Sequence, residues 1–197
     1  MYRLFASLAM AMLSVIFSPL AFAQTIDQNA PTNNTNMAGF GQGYLAQSFQ
    51  QASSNIVGAG IFLNSGVGTG DTVTISLYDN LPNVNGSLLA SASTTGTAGA
   101  WVDVFWNSVS IAADTTYYLV FSGNTTLGIS GDTSNGYSRG NVFANSGYQS
   151  FSDYDYTFRT YSGTVSAVPE AETYAMMLAG LGLMGAVARR RKAKQSA

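Results

Sequence analysis

Between residues 72 and 78 the chain alternates without a break: Val73, Ile75 and Leu77 are apolar, and Thr72, Thr74, Ser76 and Tyr78 stand between and beside them. Successive side chains of a strand point to opposite faces, so this run predicts a strand with one face buried and one in water. Similar short runs occur at 44–49, 56–63, 87–93, 101–105, 117–121 and 154–161. Turn-forming residues separate them: Asn64, Ser65 and Gly66; Asn85 and Gly86; Ser122, Gly123 and Asn124; Asn135 and Gly136. Short strands at regular spacing, with no helical period of 3.6, predict an all-β domain built as a sandwich or barrel. The sandwich is expected over residues 39–161. The Asn- and Thr-rich stretch 24–38 reads as a flexible arm and 162–168 as a spacer.

The pattern changes at both ends. In residues 1–23, Arg3 precedes an uncharged apolar run over 4–17, Ser18 and Pro19 break it, and Ala21, Phe22 and Ala23 form a small-x-small site. This is the layout of a secretory signal peptide, with cleavage after Ala23 and a mature chain starting at Gln24. Signal peptidase and the secretion machinery are therefore expected partners. At the other end, 173–188 is uncharged and apolar, and Arg189, Arg190, Arg191, Lys192 and Lys194 follow it. As a helix it measures about 24 Å against a hydrocarbon core of about 30 Å, so its flanks must help it span. The basic cluster can snorkel and marks the cytoplasmic side, and Tyr174 suits the opposite interface. One transmembrane helix is expected, in which Gly180, Gly182 and Gly185 are tolerated.

Charge narrows the function. The chain has 197 residues and a net charge of −2, but six of its eight basic residues are Arg3 and the terminal cluster. Between Gln24 and Val168 only Arg139 and Arg159 oppose the aspartates, which excludes a nucleic-acid footprint. The absence of Cys and His removes thiolate chemistry, disulfides, Ser-His-Asp triads and the usual zinc and haem ligands. Both glutamates, Glu170 and Glu172, lie in the C-terminal segment, so a glycan hydrolase would have to work with aspartates alone. A non-enzymatic protein is expected, with that hydrolase as the remote alternative.

The remaining groups have bland roles and sharper ones. Asp153 and Asp155 bracket Tyr154, so on one strand they would share a side, as a solvated pair, an acid/base pair or a Ca²⁺ site. Asp132 with Ser134, Asn135 and Gly136, and Asp79 with Asn83 and Asn85, are oxygen-rich loops whose composition suits a structural Ca²⁺; no other cofactor is expected. The glycines at 66, 68 and 70 lack a following helix and a Lys, and read as a hairpin loop. Arg159 lies within an aromatic run and should pair with a carboxylate such as Asp103 or Asp155. In the aromatic stretch 137–161, alternation commits about half the rings to the core. Tyr148 and Tyr154 lie in turn-like sequence, and they are the candidates for stacking on sugar rings, which makes a carbohydrate-binding module the main alternative function.

Val168, Pro169 and Glu170, followed by the short glycine-rich apolar stretch and the basic cluster, resemble the PEP-CTERM sorting signal of Gram-negative bacteria that make exopolysaccharide. Ala171 stands where that motif usually has a second proline. The resemblance implies processing by an exosortase, a membrane-embedded cysteine transpeptidase. The precursor would sit transiently in the inner membrane, and the product would go to the cell surface or extracellular matrix, with exopolysaccharide as a partner. The order of segments also resembles the jelly-roll-like sandwich of choice-of-anchor domains. It is carried by Ala46 to Phe49, the run 73–78 with its Pro82, Asn83 and Gly86 loop, Leu88 to Ser91, Trp101 to Val104, Asp114 to Val120 and Tyr156 to Tyr161. That resemblance implies a jelly-roll-like antiparallel β-sandwich.

Overall fold

Each alternating run has one face that must leave water and one that can stay in it, and pairing into sheets satisfies both. The computed structural model describes residues 24–64 and 69–163, with the helical positions 178, 180–182 and 184. Its strands are β1 (Gln24–Ala30), β2 (Thr35–Gly39), β3 (Leu45–Gln50), β4 (Asn55–Phe62), β5 (Thr69–Tyr78), β6 (Leu88–Thr97) and β7 (Trp101–Ser110). They continue with β8 (Thr116–Gly123), β9 (Gly128–Asp132), β10 (Val142–Ala144), β11 (Gln149–Phe151), β12 (Asp155–Tyr156) and β13 (Phe158–Gly163).

A four-stranded sheet runs β1-β13-β4-β7, a six-stranded sheet β11-β10-β3-β8-β5-β6, and a small one β12-β9-β2. Every pairing is antiparallel. The domain is thus an all-β sandwich that fits the jelly-roll description. Val73, Ile75 and Leu77 are fully buried, and the register sets Ile75 against Phe121 and Leu77 against Leu119. From the other large sheet, Ala59, Ile61, Val102, Val104 and Phe158 enter the same core. Each such large side chain contributes roughly 1.5–3 kcal/mol by leaving water. On the solvent side of β5 and β6 the hydroxyls pair with one another, Thr74 with Ser93 at 2.7 Å and Ser76 with Ser91 at 2.9 Å.

Three expectations are corrected. Residues 24–38 are not a loose arm: they form β1 and β2, and β1 pairs with β13 from Gln24 opposite Gly163 to Ala30 opposite Phe158. Their polar side chains are used internally, which is why composition misleads. Asp27 accepts from the backbone N–H groups of Ala52 (2.8 Å) and Ser53 (2.9 Å), and the buried Gln28 accepts from the Tyr137 hydroxyl at 2.8 Å. Among the described residues, strand structure therefore runs from Gln24 to Gly163, beyond the expected bounds of 39 and 161. The expected strand 154–161 is two, because the chain leaves the small sheet for the four-stranded one at Thr157, whose N–H is bonded to the Ser130 carbonyl at 2.9 Å.

Ser166–Ala197 is a separate unit. In it Leu178, Gly180, Leu181, Gly182 and Met184 are helical, and Leu178, Leu181 and Met184 are exposed. Among the described residues no helix is long and apolar enough to cross a membrane. The signal segment with Ala21 and Ala23, the sorting residues Val168, Pro169 and Glu170, most of 173–188, the basic cluster and 65–68 lie outside the described residues.

Candidate functional site

Because only alternate residues of a strand enter the core, the inward positions of β4, β7 and β13 decide what stands on the outer face. There Gly58, Gly60, Asp103, Phe105, Arg159 and Tyr161 alternate with the core residues, and the register aligns them in two rows: Arg159–Gly60–Asp103 and Tyr161–Gly58–Phe105. Both central positions require glycine. A Cβ on Gly58 would stand 2.5 Å from the Phe105 ring, and one on Gly60 would overlap the Asp103 carboxylate. Side chains from β7 and β13, about 10 Å apart as strands, thus meet over the bare backbone of β4.

The contacts that result are dense. Arg159 Nε donates to Asp103 Oδ1 at 2.8 Å, Arg159 Nη2 donates to Oδ2, and the Tyr161 hydroxyl donates to Oδ1 at 2.8 Å. The guanidinium lies 4.1 Å from the centre of the Trp101 ring. Phe62 meets Trp101 edge-on at 5.7 Å, and Phe105 lies 5.0 Å from Tyr161. The hydrogen bonds to Asp103 hold the Arg159 pKa above its ordinary value. Burial, then the bond to Asp103, raises Tyr161 as well, so its hydroxyl stays a neutral donor. Of the two partners expected for Arg159, the structure selects Asp103. Phe105 remains 43% exposed, and so does Ile26 at 48%, opposite Tyr161 in β1. Tyr161 itself is only 9% exposed, so the face offers the Phe105 ring with the partly exposed Trp101 and Arg159, and these can meet a ligand that is itself ring-shaped and hydroxylated. The one signal that could have pointed here is the alternation of Gly58 and Gly60 with Ala59 and Ile61, which by itself reads only as part of a strand over 56–63.

The expected sugar-stacking residues lie elsewhere. Tyr148 closes the β10–β11 turn with a positive φ of 53° and packs edge-on against Tyr44 at 5.3 Å; burial raises its pKa. Tyr154 is 37% exposed and lines a hollow of 260 Å³ with Met37, Gln42, Asn145 and Phe151. Tyr148 is not part of that lining, so the structure does not bring the two together. Tyr137, Tyr156 and Phe158 belong to the core. Phe143 stands on the outer face of the six-stranded sheet beside Tyr118, at 5.7 Å.

Apart from the exposed Asp153, the candidate carboxylates are engaged within the chain. Asp153 and Asp155 do not share a side: Asp153 is exposed in a turn, whereas Asp155 begins β12 and is fully buried, accepting from the Tyr137 N–H at 2.8 Å and Gln47 Nε2 at 3.3 Å. Strand alternation fails there because the chain turns before Asp155. Asp132 lies opposite Asp155 in the register. It accepts from the Ser134 hydroxyl at 2.6 Å, the Ser134 N–H at 3.0 Å and Asn34 Nδ2 at 2.9 Å. Burial raises Asp155, and the Ser134 hydroxyl leads the bonds that lower Asp132. In the other oxygen-rich loop Asp79 accepts from the Ser87 N–H at 2.6 Å, while Asn83 reaches across to the Gly147 carbonyl at 2.9 Å. Among the described residues no three acidic side chains converge as metal ligands.

Fold and site together describe a β-sandwich domain with an aromatic outer face, followed by a separate C-terminal unit. That unit carries a PEP-CTERM protein-sorting motif, matched over residues 167–192, which include Val168, Pro169, Glu170 and the basic residues Arg189 to Lys192. The motif marks an exosortase-targeted protein, with an exosortase as processing partner and a membrane-anchored precursor on an export route. No curated protein matches the chain.

Proposed function

We propose that this chain is a surface-sorted, non-enzymatic β-sandwich protein of the exopolysaccharide matrix or cell envelope, released from its membrane-bound precursor by an exosortase. The observation that carries this reading is the sorting motif at residues 167–192, which follows an all-β domain in the chain. The lack of an enzymatic role is supported by the absence of Cys, His and Glu from the domain and by the internal bonds of Asp27, Asp103, Asp132 and Asp155. Intact-mass analysis of surface material tests the route. The expected species starts near Gln24 and lacks the cluster from Arg189 to Lys194, and replacing Pro169 and Glu170 by Ala should trap the precursor in the inner membrane. A mature surface protein that keeps the whole tail would refute it. A second reading, a carbohydrate-binding module, is favoured by the outer face of the four-stranded sheet.

A further inference from the structure

We infer that this face, built on Trp101, Asp103, Phe105, Arg159 and Tyr161, is the binding platform for a neutral polysaccharide; the inference rests on the second reading above. The two large sheets differ in how their outer rings are arranged. The six-stranded sheet carries paired Ser and Thr hydroxyls on β5 and β6 and a separate ring pair, Tyr118 and Phe143, whereas the four-stranded sheet carries a contiguous stripe from Phe62 through Trp101 and Arg159 to Phe105, with Tyr161, only 9% exposed, packed against Phe105. The stripe follows β7 from position 101 to position 105, a length of about 13 Å. Phe105 and Ile26 each leave nearly half of their apolar surface in water, and a bound ligand would remove that remainder.

The arrangement of polarity selects the ligand. A protein–protein interface core is enriched in aromatic residues and Arg but depleted in carboxylates. Here a complete ion pair, Arg159 with Asp103, sits in the middle of the stripe, and rings flank it on both sides. A pyranose chain has the complementary pattern, with apolar ring faces interrupted by hydroxyls that both donate and accept. Two of the five guanidinium N–H donors are spent on Asp103, which leaves others for hydroxyl oxygens. The charges cancel within the pair, so the face offers no attraction to an acidic polymer, and the ligand assigned is neutral.

The test uses the full chain as recovered from cells, with laminarin and dextran as neutral probes and alginate as the acidic one, in affinity electrophoresis and by tryptophan emission. Trp106 is buried, so a shift in emission on binding reports Trp101, and Trp101→Phe should abolish the signal while retaining binding. Phe105→Ala and Trp101→Ala should each weaken binding to a neutral glucan at least tenfold, while Leu88→Ala, on an exposed position of β6, should not. Phe105→Ala should keep the wild-type melting temperature within a few degrees, so its loss of binding cannot be attributed to unfolding. The inference is overturned by a folded wild-type chain that binds neither glucan, by preference for alginate, or by loss on Tyr154→Ala without loss on Phe105→Ala. A dimer that Phe105→Ala dissociates would also overturn it, in favour of a second copy of the chain. Sorting is judged by mass and location alone, so a correctly delivered chain that binds no glucan refutes the platform and leaves the delivery route standing.

Discussion

Replacing Asp103 by Ala tests whether the outer face of the four-stranded sheet is a closed network or a set of solvated neighbours. Asp103 accepts bonds from Arg159 Nε and Nη2 and from the Tyr161 hydroxyl, and the two ionic side chains are 24% and 20% exposed. Breaking a fully buried ion pair costs about 3–5 kcal/mol, and a surface pair is worth about 0–1. At one-fifth to one-quarter exposure the expected loss is about 2 kcal/mol. It arises mainly from leaving the guanidinium and the Tyr161 hydroxyl without their acceptor. For a domain of this size that corresponds to a fall in Tm of about 6–8 °C. The discriminating measurement is a double-mutant cycle with Arg159→Ala, followed by urea denaturation. Because both partners are removed together in the double variant, the coupling should be about 1–1.5 kcal/mol, above the range of exposed pairs. Asp103→Asn, which keeps an acceptor but not the charge, should fall between wild type and Ala. A coupling below about 0.5 kcal/mol would show that water screens the pair and that the rings do not shelter it.

Two further outcomes follow from burial. Leu119→Asp should abolish the cooperative unfolding transition seen by near-ultraviolet circular dichroism, because a charge placed at a fully buried position costs several kcal/mol against a total of about 5–15. A folded variant would overturn the strand phase. The second concerns pH: burial raises Asp155 above 3.8, so the native state holds that proton more tightly than the unfolded chain, and this group adds stability as pH falls through its folded value towards 3.8. Asp27 and Asp132 are lowered below 3.8; for Asp27 burial pushes upward, but the bonds from Ser53, Gln28 and Ala52 outweigh it. Their contribution is present above 3.8 and lost as pH falls through their folded values. Tm should therefore rise on mild acidification and drop at lower pH, and a monotonic fall from neutrality would refute the assignment of Asp155.

The strands that were legible in the sequence are those with a clean two-faced pattern. β5 shows its inward set, Val73, Ile75 and Leu77, in plain alternation, and β7 and β8 follow the same rule, whereas β3 and β4 are buried along nearly their whole length and announced themselves by their apolar and aromatic residues. β1 and β2 were not legible, because the groups that stabilise them are long-range partners such as Tyr137, Thr160 and Ser53 rather than neighbours in the chain. β9 reads Gly128-Ile-Ser-Gly-Asp132 and is buried on both sides, so it has no polar face to announce it. The partner of Arg159 was within reach as one of two named aspartates, but the platform was not. Its rings come from β4, β7 and β13, and only the cross-strand register puts Phe105 beside Tyr161. The stretch 137–161 drew attention by its density of aromatics, yet much of that density fills the core.

The pairing of β1 with β13 also sets the order in which the domain can become whole. Thr25 and Ser162, bonded through their hydroxyls at 3.1 Å, are 137 positions apart, so the four-stranded sheet has an open edge until nearly all of the domain has been delivered. Contacts at such separation form late, after the loop-closure entropy has been met. A polypeptide with this stitch is slow to lock while its far end is still missing, and that keeps it threadable during transfer across a membrane. The same stitch then joins the first and last strands of the domain at one edge, so a pull on either end loads a ladder of backbone hydrogen bonds before it reaches the core.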